Sequence, residues 1–158
     1  MGGVQESQQG LILKIINMSN SKQKNENHIS FIICDFECLP EEITKQVGIE
    51  PTNTWLKDEL RAVGKGKVKI RENTWDLESE LPLTDSVERH LLHLLDKLTP
   101  HKKIINELGK KYYVEFSCGL DFYEFNPGIN LDNNIIKRIA ELNAKLDLDM
   151  YCLGENSI

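Results

Sequence analysis

Apolar and polar residues alternate with two different periods along this chain. Residues 29–36 (ISFIICDF) are apolar on both parities, as expected of a central strand whose two faces are both partly covered. Residues 112–118 and 145–152 alternate with a period of two, which predicts strands with one face toward the core. On the last predicted strand the core-facing positions are Leu146, Leu148, Met150 and Cys152.

Capping residues and apolar stripes predict two helices in the first two thirds of the chain. Pro40 suits the first turn of a helix, and Gly48 suits a left-handed C-terminal cap. Thr84 or Asp85 is expected to cap the next helix, with Glu88 completing a capping box from Asp85. The inward positions of these helices are Ile43 and Val47, then Val87, Leu91, Leu94, Leu95 and Leu98.

Two further helices follow by the same signals. Thr99 and Pro100 predict the start of a short helix that ends at Gly109. Asn130 or Asp132 is expected to cap the last helix. The inward positions are Ile104, Ile105 and Leu108, then Ile135, Ile136, Ile139 and Leu142.

The intervening segments are predicted to be loops. Residues 53–66 have a loop-like composition, and so do residues 119–128. Val68 lies on the opposite parity to Trp75, so one strand cannot place both on the same face. A bulge or tight turn is therefore expected within residues 71–74.

Half-exposed strands combined with amphipathic helices predict an α+β fold. We expect a two-layer sandwich with a mainly antiparallel sheet of about four or five strands and three or four helices packed on one face. The length of 158 residues fits one domain. Residues 1–27 are assigned to an N-terminal extension with a polar linker, and residues 28–158 to the domain.

The charge balance disfavours two classes of partner. The chain carries 25 acidic and 19 basic residues, a formal net charge of -6. A negative field repels nucleic acid and anionic membrane surfaces and favours a basic protein. The sequence shows neither a signal peptide nor a membrane span, so we expect a cytoplasmic protein with reduced thiols.

The histidines do not predict a metal site. His90 and His93 are three residues apart on the second helix, but His90 lies at the border of the apolar stripe and His93 points toward solvent. Both are therefore expected at the surface. His28 and His101 are each isolated in the sequence. No cofactor is expected.

The cysteines do not predict a metal site either. Cys34 and Cys38 lack the second Cys or His pair that a zinc site needs. Cys118 and Cys152 fall on core-facing parity, where a thiol behaves as a small hydrophobic group. We therefore predict no catalytic residues.

Acidic and aromatic residues are the candidates for binding a partner. Asp147, Asp149 and Tyr151 share one face of the last strand, and Glu115 can join them from a neighbouring strand. Three interpretations of these carboxylates stay open. They are ordinary charges on a solvated face, a patch that binds a basic partner, or a site that binds a cation and transfers protons. The aromatic candidates in predicted loops are Trp55, Phe122 and Tyr123.

The order of these signals resembles one family. The segments PEEIT, VGIEPT, TW, VERHLLHLLDKL and INLDNNIIKRIAELNAKLDLDMY are similar in order and spacing to the bacterial domain of unknown function 4279, over residues 28–153. The resemblance implies a small single domain of the kind found near polymorphic toxins, where acidic domains are candidate immunity proteins. It implies no catalytic residues.

Three hypotheses follow from the sequence. The first is a non-catalytic cytoplasmic protein-binding domain, an immunity-type inhibitor that neutralises a basic toxin or effector. The second is a metal- or ligand-dependent hydrolase that uses Glu115, Asp147 and Asp149. The third is an accessory subunit of a larger bacterial assembly, with residues 11–16 (LILKII) as an interaction arm.

Overall fold

The computed structural model describes residues 23–123 and 125–154, which form a mixed five-stranded sheet, a two-stranded sheet and four α-helices. This confirms the α+β class. In chain order the elements are β1 (Glu26–Phe36), α1 (Pro40–Val47), β2 (Asn53–Trp55), β3 (Leu60–Val63), β4 (Gly66–Lys69), β5 (Asn73–Glu78), α2 (Val87–Leu98), a 3-10 turn (Thr99–His101), α3 (Lys102–Gly109), β6 (Tyr113–Phe122), α4 (Asn133–Glu141) and β7 (Lys145–Cys152). None of the described helices is long and apolar enough to cross a membrane.

The larger sheet has the strand order β2-β5-β1-β6-β7, so the strand with apolar residues on both parities is at its centre. Its neighbours β5 and β6 run antiparallel to it, and β2 runs antiparallel to β5. Only the β6–β7 pair among these is parallel. A parallel pair needs a crossover connection, and α4 provides it.

One face of this sheet carries the core. Phe31 of β1 lies opposite Phe116 of β6 and Leu77 of β5, while Ile33 lies opposite Trp75. The ring centroid of Phe31 is 5.1 Å from that of Phe116. These side chains form one buried cluster with the apolar stripes of the helices, including every predicted inward position of α2. Two predicted inward positions differ, because Ile104 is half-buried and Ile136 is exposed.

The predicted bulge lies on a different strand. Asp35 of β1 adopts a left-handed backbone conformation with φ 64°, and the pairing with β5 shifts between Cys34 and Phe36. The extra residue turns Phe36 into the core, although its parity would otherwise direct it away. Val68 differs in parity from Trp75 because the two residues belong to separate sheets.

Both predicted loops contain strands. Residues 53–66 include β2 and β3, and β3 pairs with β4 as an antiparallel hairpin. Residues 119–122 continue β6, so only the later part of that predicted loop lies outside a strand. Residues 11–16, the predicted interaction arm, lie outside the described residues.

The core-facing prediction for β7 is wrong beyond Leu146. Leu146 is half-buried against the core, but Leu148 and Met150 are 38% and 46% exposed and Cys152 is exposed too. Among the described strands, β7 is at the edge of the sheet and pairs with β6 alone. Alternation alone does not show how far the core extends over an edge strand.

The helix ends combine correct and incorrect predictions. Pro40 occupies the first turn of α1, and Gly48 ends it with φ 76°. Asp132 caps α4 through its carboxylate, which accepts a hydrogen bond from the Ile135 N–H at 2.9 Å.

The predicted cap of α2 is wrong, whereas the predicted end of α3 is confirmed. Ser86, rather than Thr84 or Asp85, caps α2 by accepting a hydrogen bond from the Arg89 N–H. α3 ends at Gly109 as predicted, although the φ of this glycine is not positive. A Cβ at this position would be 3.0 Å from the Asn143 carbonyl oxygen, so the glycine permits close packing instead.

Candidate functional site

The side of the five-stranded sheet opposite the core carries most of the candidate residues. Strand register defines this surface, which we call the polar face. Its members are Asn53 and Trp55 of β2, Thr74, Asp76 and Glu78 of β5, Glu26, His28, Ser30, Ile32 and Cys34 of β1, Tyr113, Glu115, Ser117, Gly119 and Asp121 of β6, and Lys145, Asp147, Asp149 and Tyr151 of β7.

The polar face is strongly acidic. Lys145 is its one lysine, and His28 its one histidine. Its carboxylates outnumber these two bases. The carboxylates are Glu26, Asp76, Glu78, Glu115, Asp121, Asp147 and Asp149. Carboxylates from four adjacent strands therefore produce a negative field on one side of the sheet.

The predicted acidic group on β6 and β7 is brought together. Glu115 lies beside Lys145, and the next polar-face positions pair Ser117 with Asp147 and Gly119 with Asp149. A hydrogen bond to Glu115 is the main cause that raises the pKa of Tyr113 to about 12, with burial and the charges of Glu115 and Asp147 adding to it. The Tyr113 hydroxyl therefore stays protonated beside these carboxylates.

Lys145 offsets only part of this charge. Its ammonium nitrogen is 3.8 Å from the centroid of the Tyr113 ring, a cation–π geometry. Asp147, Asp149 and Tyr151 are exposed. This region combines negative charge with an exposed aromatic ring.

The buried thiols are poor nucleophiles. Burial, followed by the charge and hydrogen bonding of Glu72 and the charge of Glu115, raises the pKa of Cys34 to about 12. Burial likewise raises the pKa of Cys118, on the core face, to about 12. Both thiols remain protonated at neutral pH, and a thiolate is the reactive form. Cys152 is exposed, contrary to the prediction that it is a buried hydrophobic group.

The sequence did not single out Asp76, which is the most buried carboxylate of the polar face. It is 5% exposed, and its Oδ1 has no hydrogen-bond partner among the described residues. Burial raises its pKa, while hydrogen bonding from Ser30 and Asn53 opposes that rise. Its position between Trp75 and Leu77 shows that it faces away from the core, but no sequence signal shows that this place is buried.

Trp55 lies on the polar face, but far from the β7 carboxylates. It is in β2 opposite Thr74, at the other edge of the sheet. The guanidinium carbon of Arg61, from the β3–β4 hairpin, is 4.3 Å from the centroid of its ring. The charge of Arg61 also opposes the rise in the pKa of Asp76 that burial causes. The hairpin therefore places a cation beside this end of the polar face.

The remaining two aromatic candidates lie at the end of β6 and directly after it. Phe122 is the last residue of β6 and is buried on the core face. Tyr123 follows it and is half-buried, and its backbone N–H donates to the Asn25 side-chain oxygen at 3.3 Å. Phe122 is thus a core residue, and Phe125 is the exposed aromatic of that segment.

Two predictions about histidines are wrong. His90 is 1% exposed, and its Nδ1 is 2.8 Å from the Ser79 hydroxyl, because the segment after β5 covers the border of the α2 stripe. Burial lowers its pKa. His28 is not isolated, because its Nε2 is 3.8 Å from a carboxylate oxygen of Glu26 and 3.8 Å from one of Asp121.

Comparison with known proteins adds one assignment. The sequence model of the family described as "Domain of unknown function (DUF4279)" matches residues 25–153. The chain belongs to the DUF4279 family. The match confirms the resemblance seen in the sequence and spans every described helix and strand.

The DUF4279 region contains the whole polar face, and residues 1–24 precede it. Neither the curated proteins nor the solved structures include a match. Family membership therefore supports the extent of the domain, and the function has to be inferred from the surface itself.

Proposed function

We propose that this chain is a non-catalytic, cytoplasmic domain that binds a basic protein through the polar face of its sheet. In this proposal it is an immunity-type inhibitor that neutralises a toxin or effector. The observation that supports it is the concentration of carboxylates from four strands on one side of the sheet. We take the four helices to pack on the opposite side, which leaves the polar face available.

Electrostatics is the physical basis of the proposal. Carboxylates on adjacent strands are held at fixed spacing by the backbone pairing, so their fields add. A field of this kind accelerates association with a partner of opposite charge and disfavours acidic partners. Nucleases and other toxins that act on phosphate-bearing substrates have basic surfaces and would be recognised by this chemistry.

The exposed tyrosines give this surface a second means of contact. Tyr151 extends from β7 beside Asp149, and Tyr113 is exposed beside Glu115. Tyrosine buries a large area at low entropy cost and is enriched among residues that dominate interface energy. We expect the centre of the interface on β6 and β7, where these rings and the carboxylates meet.

The geometry supports binding over the hydrolase alternative. Among the described residues, Glu115, Asp147 and Asp149 do not form a group with ligand atoms within 4.8 Å of one another. The buried thiols are held protonated, as their raised pKa values require. The accessory-subunit alternative depends on residues 11–16, which lie outside the described residues, and it stays a prediction.

Co-expression with the protein encoded by the adjacent gene tests the proposal. We expect that protein to be toxic alone, to be neutralised by this chain, and to form a complex that survives gel filtration at moderate salt. Asp147→Lys combined with Asp149→Lys should weaken the complex at least about tenfold, because it reverses the field at the expected centre.

The matched control is Glu41→Lys combined with Glu50→Lys. These acids are exposed and lie in and after α1, away from the β7 edge, and the change in net charge is the same. The control should retain the complex. A neighbour that is not toxic, or a complex that both double variants weaken equally, would reject the proposed interface.

A further inference from the structure

Glu26, His28 and Asp121 form a group of ligand-type side chains at the start of β1 and the end of β6. Each offers one ligand atom, and the three atoms all lie within 4.8 Å of one another. The His28 Nε2 is 3.8 Å from a carboxylate oxygen on each side. This group is separate from the Glu115, Asp147 and Asp149 set, and no sequence motif connects its members.

The fold brings these residues together by strand geometry alone. Glu26 and His28 are two residues apart on β1, so both project from the polar face. Asp121 lies directly opposite Glu26 on β6. Two positions on one strand and one on its neighbour place three side chains side by side without a loop, on a backbone that pairing holds rigid.

Gly119 is a second and independent feature of this place. It lies opposite His28 in the middle of β6, and its φ is not positive, so its backbone conformation does not require glycine. A Cβ here would be 3.7 Å from the His28 Cβ, which is an ordinary contact. Glycine weakens a strand interior and often marks a bulge, a bend, or a place where a ligand or another backbone approaches closely.

The missing side chain opens one flank of the histidine. On the far side of Gly119, the register of β7 places Asp149. The register position between His28 and Asp149 is Gly119, which has no side chain, and we call this position the gap. An ion bound to His28 would therefore meet no side chain from the β6 residue directly opposite.

We propose that Glu26, His28 and Asp121 bind a divalent transition-metal ion such as Zn²⁺, with at least one coordination position open to solvent. The donor set fits this class, since imidazole and carboxylate ligands suit borderline ions and three protein ligands leave room for water. Metal–ligand bonds of about 2.0–2.2 Å bring tetrahedral ligand atoms to roughly 3.4 Å from one another. Exposed side chains on strands can close the difference from 3.8 Å by small rotamer changes.

The metal also changes the local charge. The two carboxylates and a divalent ion together are neutral, so metal binding would remove two negative charges from this end of the polar face. This inference does not depend on the proposed partner, because it concerns ligand atoms that the sheet already holds together. It predicts a bound ion whether or not a protein binds to β6 and β7.

Titration of the full chain with Zn²⁺ and with Co²⁺ tests the site. We expect one ion per chain by calorimetry, and Co²⁺ absorption bands of a nitrogen and oxygen ligand set without thiolate charge transfer. His28→Ala should weaken binding at least about tenfold, and Asp121→Asn should weaken it as well. The three ligands are exposed or half-buried, so these variants are expected to fold.

The matched control is His93→Ala. This histidine also lies near one carboxylate, that of Glu80, but has no second carboxylate partner within the described part of the chain. It should bind as the unmodified chain does. Gly119→Val should keep the fold, because valine suits a strand, yet weaken binding by filling the gap beside His28. Equal affinity in His28→Ala and the unmodified chain, thiolate charge transfer, or no binding at all would each overturn the proposal.

Discussion

Asp76 and His90 are ionisable side chains that the fold buries without full hydrogen bonding. Asp76 Oδ1 and His90 Nε2 each lack a hydrogen-bond partner among the described residues. Burial shifts the two pKa values in opposite directions, because it disfavours the charged form of each group. The two residues should therefore give the stability of this protein opposite dependences on pH.

We predict that Asp76→Asn stabilises the protein at neutral pH by about 1 kcal/mol, since the amide avoids burying a charge. The pKa of Asp76 is raised in the fold, so its favourable contribution exists at low pH and is lost as pH rises through the unfolded value of about 3.9 and then the folded value. Urea unfolding at a series of pH values measures this. Asp149→Asn, on the exposed part of the same face, is the control and should change little; a destabilised Asp76→Asn protein would contradict the prediction.

We predict that His90→Gln reduces the loss of stability in acid. The pKa of His90 is lowered in the fold, so the unfolded chain takes up a proton first and stability falls as pH drops below about 6.5. The same denaturation series between about pH 7 and pH 5 measures the effect. His93→Gln on the same helix should keep the acid-sensitive component of His90. If the His90→Gln protein loses as much stability in acid as the unmodified protein does, protonation of His90 is not the cause of the loss.

At the scale of elements, the ends of a helix were predicted correctly where one residue type has one physical use. Pro40 begins α1 because its missing N–H costs nothing in the first turn, and Gly48 ends it because a left-handed residue is needed there. Serine, threonine and aspartate can all cap a helix, so the sequence did not decide among Thr84, Asp85 and Ser86 at the start of α2.

Replacement of Gly48 by alanine tests this reading of α1. We expect Gly48→Ala to lower the free energy of unfolding by about 1–2 kcal/mol, because a left-handed backbone is unfavourable for a residue with a Cβ. The new Cβ would be 3.5 Å from the His101 ring, an ordinary contact, so the cost comes from the backbone. At Gly128, φ is not positive, and apart from the chain neighbours no atom lies within 4 Å of an added Cβ. Gly128→Ala should therefore change the free energy of unfolding by less than about 0.5 kcal/mol. Equal effects of the two changes in chemical denaturation would refute this reading.

Strand faces were predictable for central strands and less so for the edge. On β6 the alternation gives the buried positions Val114, Phe116 and Cys118 as expected. On β7 the same alternation fails to give burial, because the core ends near Leu146. The alternation of apolar and polar residues indicates which side of the sheet a residue faces. Neighbouring elements decide whether that side is covered.

At the scale of the whole molecule, the net charge of -6 is distributed unevenly, with carboxylates from four strands on the polar face. The sequence predicted that Glu115, Asp147 and Asp149 share a face. It did not show that Asp76, Glu78, Glu26 and Asp121 join them, because strand order and register bring these residues together from positions far apart in the chain.

If the polar face binds a basic partner, its association rate should fall steeply with salt. The screening length is about 10 Å at 0.1 M ionic strength, so raising the salt weakens steering between the two surfaces. Stopped-flow or surface-binding kinetics with the identified partner should show a salt dependence that is reduced in the Asp147→Lys, Asp149→Lys variant. The Glu41→Lys, Glu50→Lys variant should keep it. An association rate independent of salt would show that apolar contacts, and not this field, drive binding.

The sequence by itself determined the α+β class, the central strand, the helix stripes and the family, because apolar periodicity and proline or glycine positions act locally. Only the tertiary structure decided which polar residues are buried and which ligand atoms meet. Asp76 interacts with Ser30 and Asn53 on other strands, and His90 contacts Ser79. Glu26, His28 and Asp121 come together only when β1 pairs with β6. Burial and proximity depend on what packs against a residue, and a one-dimensional pattern does not contain that information.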